Sequence, residues 1–392
     1  MSLSIRLKET TIGTTGSSRM RALYEKMSKD NDIINLSSGD PNFDTPAHIC
    51  QAAADAAARG ETHYPPSQGL PQLREAIAAR YQDKYGVAVR PSEVEVTNGA
   101  ANALFVSIQS LVEPGDRVVI LQPTLGFITD QVIFAGGEVV SLWLENGTSL
   151  LALESELDRE LAQARMLIVN FPSNPGGRLL TEPEFELVSR LVQKHDCYLL
   201  SDEVYDEIVF DDQPPFTTFW GVDSEKVMVV NSFSKTYAMT GWRLGYVIAP
   251  DPIRQTITRC FRMAVTHINV LAQHAGVAAL TQSQDCVAAM VREYKARRDF
   301  LAQGLSEMPA VNPWYPQAGL FFFIDISATG YDSVRVCEML LEQAKVFVVP
   351  GDDFGPEGDR FIRVTFARTP IPLLERAMQR MNRFFRQLTG DQ

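Results

Sequence analysis

The chain has 392 residues, of which 45% are hydrophobic and 21% are charged, and its formal net charge is −12 at pH 7. This length and composition predict a globular protein of two or three domains, and the acidic balance argues against a nucleic-acid partner, which would need a basic surface. Scattered cysteines without CxxC spacing, and the lack of a signal-peptide core or a membrane-length apolar run, favour a cytoplasmic location without membrane contact.

The sequence pattern up to residue 85 predicts a few short helices and one strand that precede the large sheet. An apolar run is followed by small and turn-forming residues around Gly39, and an alanine-rich segment favours a helix. A proline-containing loop carries Tyr64, whose ring could simply pack on that turn. The predicted elements are an arm over residues 1–32 with a helix near 19–28, a strand at 33–36, and helices at 46–59 and 70–85.

From residue 93 onward, short apolar runs alternate with helical segments. Such alternation predicts a mostly parallel sheet with helices on both faces, and ligands of such sheets bind beyond the carboxyl ends of the strands. The Asn98-Gly99 turn leads into a helix whose free N–H groups would suit a phosphate, although any strand-to-helix turn looks similar. The predicted strands are at 94–97, 117–121, 138–142, 166–170, 198–200, 227–230 and 244–249, with helices at 100–111 and 183–194.

The last third of the chain predicts a helical region and then a mixed segment. The helical pattern extends over residues 252–308. The segment that follows indicates a small α+β domain. Its predicted strands are at 320–325, 346–349 and 361–365, and its predicted helices are at 333–344 and 372–388.

Three polar clusters follow predicted strands of the large sheet. Asn174 lies in SNPGG, Asp202 and Tyr205 lie in SDEVY, and Lys235 lies in a Ser-Lys loop. Because the carboxyl ends of parallel strands meet at one edge, we expect these side chains to lie close together. Taken singly, Asp202 could be a helix cap and Asn174 a turn residue.

Lys235 lies between two hydroxyl residues beside an apolar strand. Burial lowers the pKa of a lysine, and a lysine with a lowered pKa is what Schiff-base chemistry requires. Arg243, between Gly241 and Gly245, supplies a fixed cation that would suit a phosphate group. This stretch alone is equally compatible with a turn that exposes a lysine at its tip.

As a set, these motifs resemble those of the class I and II aminotransferases, fold-type I pyridoxal-phosphate (PLP) enzymes related to aspartate aminotransferase. The resemblance extends from GDPNFDTP to FIRVTFA, with SNPGG, SDEVY and SFSKTYAMTGWRLGY in the family's order. It implies an α/β fold with a large PLP-binding domain, residues 46–295, whose mostly parallel, seven-stranded sheet is sandwiched by helices. An N-terminal arm, residues 1–45, would join residues 296–392 in a smaller α+β domain.

The resemblance also implies the cofactor and its contacts. Lys235 would bind the aldehyde of PLP covalently and then move a proton between substrate and cofactor. Asp202 would pair with the pyridine nitrogen and keep the ring an electron sink. Tyr205 and Asn174 would contact the ring's phenolate oxygen. The phosphate group would be held by Ser232, Ser234, Arg243 and the backbone N–H groups of Ala100 and Ala101.

By the same resemblance, the substrates are an L-amino acid and a 2-oxo acid that react in turn by a ping-pong cycle. Arg363 would grip the substrate α-carboxylate as a bidentate fork, with Gly39 and Asn174 beside it. A surface ion pair is the alternative for Arg363. Tyr64 would reach the phosphate of the neighbouring subunit, which implies a homodimer.

Two positions depart from the family pattern. Leu125 stands where an aromatic residue usually stacks on the cofactor ring, and either Phe127 or the leucine itself would have to cover that face. Gly176 replaces a common threonine in SNPGG, which we expect to cost little. The leucine leaves room for a specialised biosynthetic reaction.

Other functions use the same residues or the same fold class. A PLP-dependent lyase, cyclase or decarboxylase would share Lys235 and Asp202. A non-catalytic regulator is disfavoured because the chain keeps Lys235 and shows no basic patch, and an oxidoreductase is disfavoured because no strand is followed by GxGxxG. The sequence does not identify the substrate side chain, because no second arginine or lysine can be assigned to it.

Overall fold

The computed structural model describes residues 5–11, 14–27, 32–211, 222 and 225–390. Part of the predicted N-terminal arm, including the end of its predicted helix at residue 28, lies outside these residues. The strands are β1 (Ile34–Asn35), β2 (Val94–Thr97), β3 (Arg117–Gln122), β4 (Glu138–Trp143), β5 (Ala164–Asn170), β6 (Tyr198–Asp202), β7 (Val227–Ser232), β8 (Gly245–Ile248), β9 (Asn312–Trp314), β10 (Phe321–Asp325), β11 (Val346–Phe347), β12 (Val349–Pro350) and β13 (Phe361–Thr365).

Helices surround these strands and account for most of the remaining described chain. The α-helices are α1 (Ile5–Lys8), α2 (Gly16–Met27), α3 (Ala47–Ala58), α4 (Pro71–Tyr85), α5 (Ala100–Leu111), α6 (Gly126–Ala135), α7 (Glu154–Leu161), α8 (Glu182–His195), α9 (Phe233–Thr236), α10 (Asp251–Ala264), α11 (Val270–Thr281), α12 (Asp285–Ser306), α13 (Ser333–Met339) and α14 (Ile371–Thr389). No helix of the described residues is long and apolar enough to cross a membrane.

The large sheet of the described residues has seven strands in the order β2-β8-β7-β6-β5-β3-β4. Strand β8 is antiparallel to both of its neighbours, and the other pairs are parallel. The central strands are continuous apolar runs because helices cover both faces, and every residue of β7 is buried. The predicted α/β class with a mostly parallel, seven-stranded sheet is therefore confirmed.

The register of the central strands brings polar residues to one edge. Asn170 at the end of β5 pairs with Asp202 at the end of β6, and Asp202 pairs with Val230 of β7. Ser232 and the short helix α9 follow directly after Val230. The carboxyl ends of three adjacent strands thus deliver the three polar clusters to the same place.

A four-stranded antiparallel sheet, in the order β12-β13-β10-β9, forms a second structural unit with its own apolar core. Helices α12 and α14 contribute buried side chains such as Leu301 and Phe385 to this core. Arg363 lies in the middle of β13, opposite Phe323 of β10. This unit carries Arg363 to the large sheet. It contains the predicted strands near 320–325 and 361–365, whereas its edge strand β9 was not predicted.

Two predicted elements differ from the structure. The region 252–308 is divided into α10, α11 and α12, because Asn269 accepts hydrogen bonds from the N–H groups of Leu271 and Ala272 and begins a new helix. The predicted strand 346–349 is interrupted at Val348, since β11 pairs with β1 whereas β12 pairs with β13. Local sequence does not reveal a change of sheet partner.

Leu167 in β5 provides a test of the sheet core. Its side chain is fully buried, so Leu167→Ala should lower the free energy of unfolding by about 2–5 kcal/mol, measured by urea denaturation. Leu151→Ala is the matched control, because Leu151 is 42% exposed. Equal effects of the two substitutions would contradict the proposed packing of the sheet.

Candidate functional site

A cavity of about 340 Å³ lies at the carboxyl edge of the large sheet, between it and the four-stranded sheet. Every site residue predicted from the sequence lines this cavity, with the exception of Tyr64. The predicted residues that line it are Gly39, Ala100, Ala101, Leu125, Phe127, Asn174, Asp202, Tyr205, Ser232, Ser234, Lys235, Arg243 and Arg363.

Lys235 projects from α9, the single helical turn that follows β7. The N–H of Ser234 donates to Ser232 Oγ at 3.0 Å, which caps this turn and orients the lysine. Lys235 Nζ donates to the carbonyl oxygen of Gly39 at 2.9 Å. Burial lowers the pKa of Lys235 to about 8; the carboxylate of Asp40 opposes this lowering, and the nearby Arg363 and Arg243 add to it. The exposed-tip alternative is therefore wrong.

Asp202 is a buried carboxylate that lacks a cationic partner among the described residues. Its side chain accepts a long hydrogen bond of 3.4 Å from the N–H of Val204. Residues 204–207 form turns, so Asp202 does not cap a helix. Burial raises the pKa of Asp202 to about 7. A carboxylate in this state would gain stability from a cation placed in the cavity.

Hydroxyl groups and a cation gather at the start of α5. Ser232 Oγ lies 2.8 Å from Ser234 Oγ, and Arg243 Nη1 donates to the Thr240 carbonyl oxygen at 2.9 Å. No side chain caps α5, so its first N–H groups, at Ala100 and Ala101, have no partner within the helix. This combination of donors is suited to an anion.

Gly99 is required where α5 meets Arg243. Its φ of +83° lies in the left-handed region, and a Cβ atom there would lie 2.7 Å from Arg243 Nη2. A side chain at this position would therefore displace the guanidinium from the anion-binding donors.

Arg363 is a buried guanidinium, so the surface ion-pair alternative is wrong. Its Nη1 donates to Asn174 Oδ1 at 3.1 Å and its Nη2 donates to the Ser37 carbonyl oxygen at 2.9 Å. The guanidinium carbon lies 4.4 Å from the ring centre of Phe321. Its Nε is buried without a partner in the described residues. Burial lowers the pKa of Arg363 to about 10.

Asn174 connects Arg363 with Tyr205, so it is more than a turn residue. Its side chain accepts from Arg363 and also forms a hydrogen bond with the Tyr205 hydroxyl. The ring of Tyr205 packs edge-on against Phe321, with ring centres 5.9 Å apart. Burial raises the pKa of the Tyr205 hydroxyl. The phenol therefore stays protonated near neutral pH and can donate a hydrogen bond into the cavity.

Two buried asparagines outside the cavity hold the strand ends in place. Asn170 Nδ2 donates to the Asp202 carbonyl oxygen at 3.1 Å, and Asn170 Oδ1 accepts from the N–H of Asn174 at 2.8 Å. Asn231 Oδ1 accepts from the N–H of Ser232 at 2.6 Å, and Asn231 Nδ2 donates to Asp206 at 3.0 Å. The sequence analysis did not identify either asparagine as a site residue. The feature that could have identified them is a polar amide side chain at the end of an otherwise apolar strand.

The cavity also contains residues that the sequence did not indicate, namely Leu104, Val204, Thr240 and Phe321. Leu125 and Phe127 are half-buried, and both line the cavity. Phe321 belongs to an apolar strand, and from the sequence alone it would be predicted to be an ordinary residue of the hydrophobic core. Only the pairing of β10 with β13 turns its ring toward the site.

Tyr64 lies on the surface, with 86% of the residue exposed. Its ring stacks on His267, with ring centres 4.7 Å apart. It does not line the cavity of its own chain.

Comparisons with known proteins give one consistent family. The family model for aminotransferase class I and II matches residues 31–381. Aspartate aminotransferase of Pyrococcus horikoshii is 34% identical over 95% of both chains, and aromatic-amino-acid aminotransferase 2 of Thermococcus litoralis is 33% identical over 99% of both. The solved structure of a single mutant of Thermus thermophilus aspartate aminotransferase superposes with a TM-score of 0.90 at 32% identity, covering 98% of this chain and 99% of that one.

The lowered pKa of Lys235 predicts a pH-dependent effect on the stability of the cofactor-free protein. Below pH 8 the folded state must bury an ammonium, whereas between about 8 and 10.5 only the unfolded state is protonated, so stability rises with pH across that window. Lys235→Met should therefore stabilise the protein at pH 7 by roughly 3 kcal/mol, and the gain should shrink toward pH 10.

Urea denaturation at pH 7, 8.5 and 9.5 checks this prediction. Lys194→Met is the matched control, because it removes an exposed ammonium from α8. A gain for Lys235→Met that is the same at all three pH values would contradict the argument.

Proposed function

This chain belongs to the family of class I and II aminotransferases, enzymes that transfer amino groups, and we propose that it uses PLP to move an amino group from an L-amino acid to a 2-oxo acid. The two substrates react in turn, by a ping-pong cycle. The observation that carries the proposal is the lysine with a lowered pKa in one cavity with a buried carboxylate and a buried guanidinium. These three groups suit the cofactor aldehyde, its ring nitrogen and the substrate carboxylate.

The residues of the cavity fit the cofactor. Asp202 lacks a cationic partner in the described chain and would pair with the protonated ring nitrogen. Tyr205 and Asn174 would donate hydrogen bonds to the phenolate oxygen. When bound, PLP supplies an aldehyde that combines with amines and a ring that accepts electrons from the substrate α-carbon. The phosphate would bind Ser232, Ser234, Arg243 and the N–H groups of Ala100 and Ala101.

Lys235 is the residue that moves the proton. Because its pKa is about 8, a substantial fraction of its Nζ is neutral near physiological pH and can act as a base. With the cofactor and substrate bound, Nζ would accept the proton from the substrate α-carbon and hold it for return during the transfer of the amino group. Ser232, which caps the lysine's helical turn, keeps Nζ directed into the cavity.

Arg363 would hold the substrate α-carboxylate. Two of its nitrogens are oriented by Asn174 and Ser37, while Nε remains without a partner in the described residues. The flanking ring of Phe321 keeps the guanidinium plane fixed, which suits two-point binding of a carboxylate. Gly39 lies beside this position.

Other PLP reactions would use the same Lys235 and Asp202. Family membership supports transamination over elimination, cyclisation or decarboxylation, and it also argues against a regulator or a nucleotide-binding oxidoreductase. The five cysteines, all within the described residues, are free thiols, which supports a reducing, cytoplasmic location.

The cofactor and the half-reaction can be tested with one protein preparation. Borohydride reduction of the PLP-loaded protein should attach the cofactor to the peptide that contains Lys235, as seen by mass spectrometry. Incubation with a single amino acid and no oxo acid should release one 2-oxo acid per site and leave pyridoxamine phosphate. Lys235→Ala should abolish both results while circular dichroism shows a folded protein. Labelling of another lysine would overturn the assignment, and ammonia or carbon dioxide as product would indicate a different PLP reaction.

A homodimer in which Tyr64 completes the partner's site is the second part of the proposal. The high exposure of Tyr64 and its absence from the lining of its own cavity support this arrangement, as does the 86% exposed Met263. In such a dimer the Tyr64 hydroxyl would bind the phosphate group held by the other chain.

Subunit mixing tests the crossing of Tyr64. Tyr64→Ala and Lys235→Ala proteins should each be strongly impaired, but a renatured equimolar mixture should recover roughly a quarter of the wild-type activity. Recovery is expected because half of the dimers are mixed, and each mixed dimer has one site with both native residues. A mixture no more active than the average of the two variants would show that Tyr64 serves its own chain.

A further inference from the structure

A second cavity, of about 480 Å³, adjoins the proposed active site, and we call it the vestibule. The two cavities share Gly39, Leu125, Phe127 and Arg363. If Arg363 holds the substrate α-carboxylate, the substrate side chain can extend past Leu125 and Phe127 into the vestibule. The vestibule would then contact the substrate side chain.

Hydroxyl groups form much of the vestibule wall. They belong to Thr11, Thr15, Ser17, Ser18, Ser37 and Ser38. Such walls form hydrogen bonds with neutral polar groups but carry no charge that would balance a second carboxylate.

Four charged side chains of the described chain line the vestibule, and three of them are accounted for. Arg363 is assigned to the α-carboxylate. Asp130 accepts from the Thr11 N–H at 2.7 Å and from the Thr11 hydroxyl at 3.1 Å. Arg21 lies exposed on α2, where water and salt screen its charge. Asp353 remains.

Asp353 presents a carboxylate oxygen that lacks a partner. Its Oδ1 is buried, and no described group donates a hydrogen bond to it. The carboxylate is close enough to Arg363 to raise the pKa of that guanidinium, against the larger lowering by burial. Phe354, the next residue, covers Arg363 with its ring centre 4.9 Å from the guanidinium carbon. An unpaired acceptor of this kind favours a ligand that supplies a donor.

We propose that Asp353 selects substrates whose side chain ends in a hydrogen-bond donor, such as an amide, a hydroxyl or an ammonium group. This inference rests on the proposed function of the same site. A donor would satisfy Asp353 Oδ1, whereas a side-chain carboxylate would meet a like charge in a confined space. The chain would then differ in preference from relatives named for aspartate.

Matched amino acids test this selection. Glutamine and glutamate, like asparagine and aspartate, have nearly the same shape and differ in a terminal amide or carboxylate. In single-turnover reactions the wild-type protein should favour the amide member of at least one pair by tenfold or more. Asp353→Asn should reduce that preference at least tenfold, mainly by accelerating the acidic member. Asp359→Asn, at an exposed aspartate outside the vestibule, should leave the preference unchanged.

Binding without turnover separates this inference from the proposed function. Calorimetry should show tighter binding of glutaramate than of glutarate to the wild-type protein, and similar binding of the two to Asp353→Asn. Failure of every amino acid to convert the cofactor would overturn the proposed function, while this binding ratio would still test Asp353. Tighter binding of glutarate to the wild-type protein, or an unchanged ratio in a folded Asp353→Asn protein, would overturn the inference.

Discussion

Burial of the Lys235 amine without an ion pair in the described chain is the constraint on which the site depends. The cavity must exclude water to lower the pKa of this lysine to about 8, and Arg363 must lie close enough to repel its charge. Both conditions require the four-stranded sheet to close over the carboxyl edge of the large sheet. The site is therefore a property of two packed units, since neither unit alone supplies both cations and the enclosing walls.

The same closure leaves several polar groups with incomplete partners. Asp202 has one long hydrogen bond, and Arg363 Nε has no partner in the described residues. Such groups destabilise an empty protein and are retained where a ligand completes them. Asn170 and the Asp206–Asn231 pair offset part of this cost, because they fasten the strand ends that present these groups.

Substrate choice follows from a different part of the structure than cofactor binding. The groups assigned to the cofactor belong mainly to the strand ends of the large sheet and the start of α5. The vestibule is lined by other segments, namely the N-terminal segment, residues 37–39, the start of α6, residues 347–350 and the Asp353–Phe354 turn. Relatives named for aspartate and for aromatic amino acids match this chain about equally well. Overall similarity thus identifies the reaction type but not the side chain, which Asp353 and its neighbours decide.

Local sequence alone determined the strands of the large sheet, most helices and the polar clusters after those strands, because hydrophobic periodicity and turn residues act over a few positions. The motifs carried by those clusters also led to the residues that line the cavity. Tertiary structure decided what depends on distant partners: the split of residues 346–349 between two sheets, the Phe321 ring against Arg363, and the unpartnered oxygen of Asp353. Whether a side chain is buried, and whether its polar atoms keep a hydrogen-bond partner, depends on which distant surfaces pack together. A local sequence pattern therefore does not predict either property.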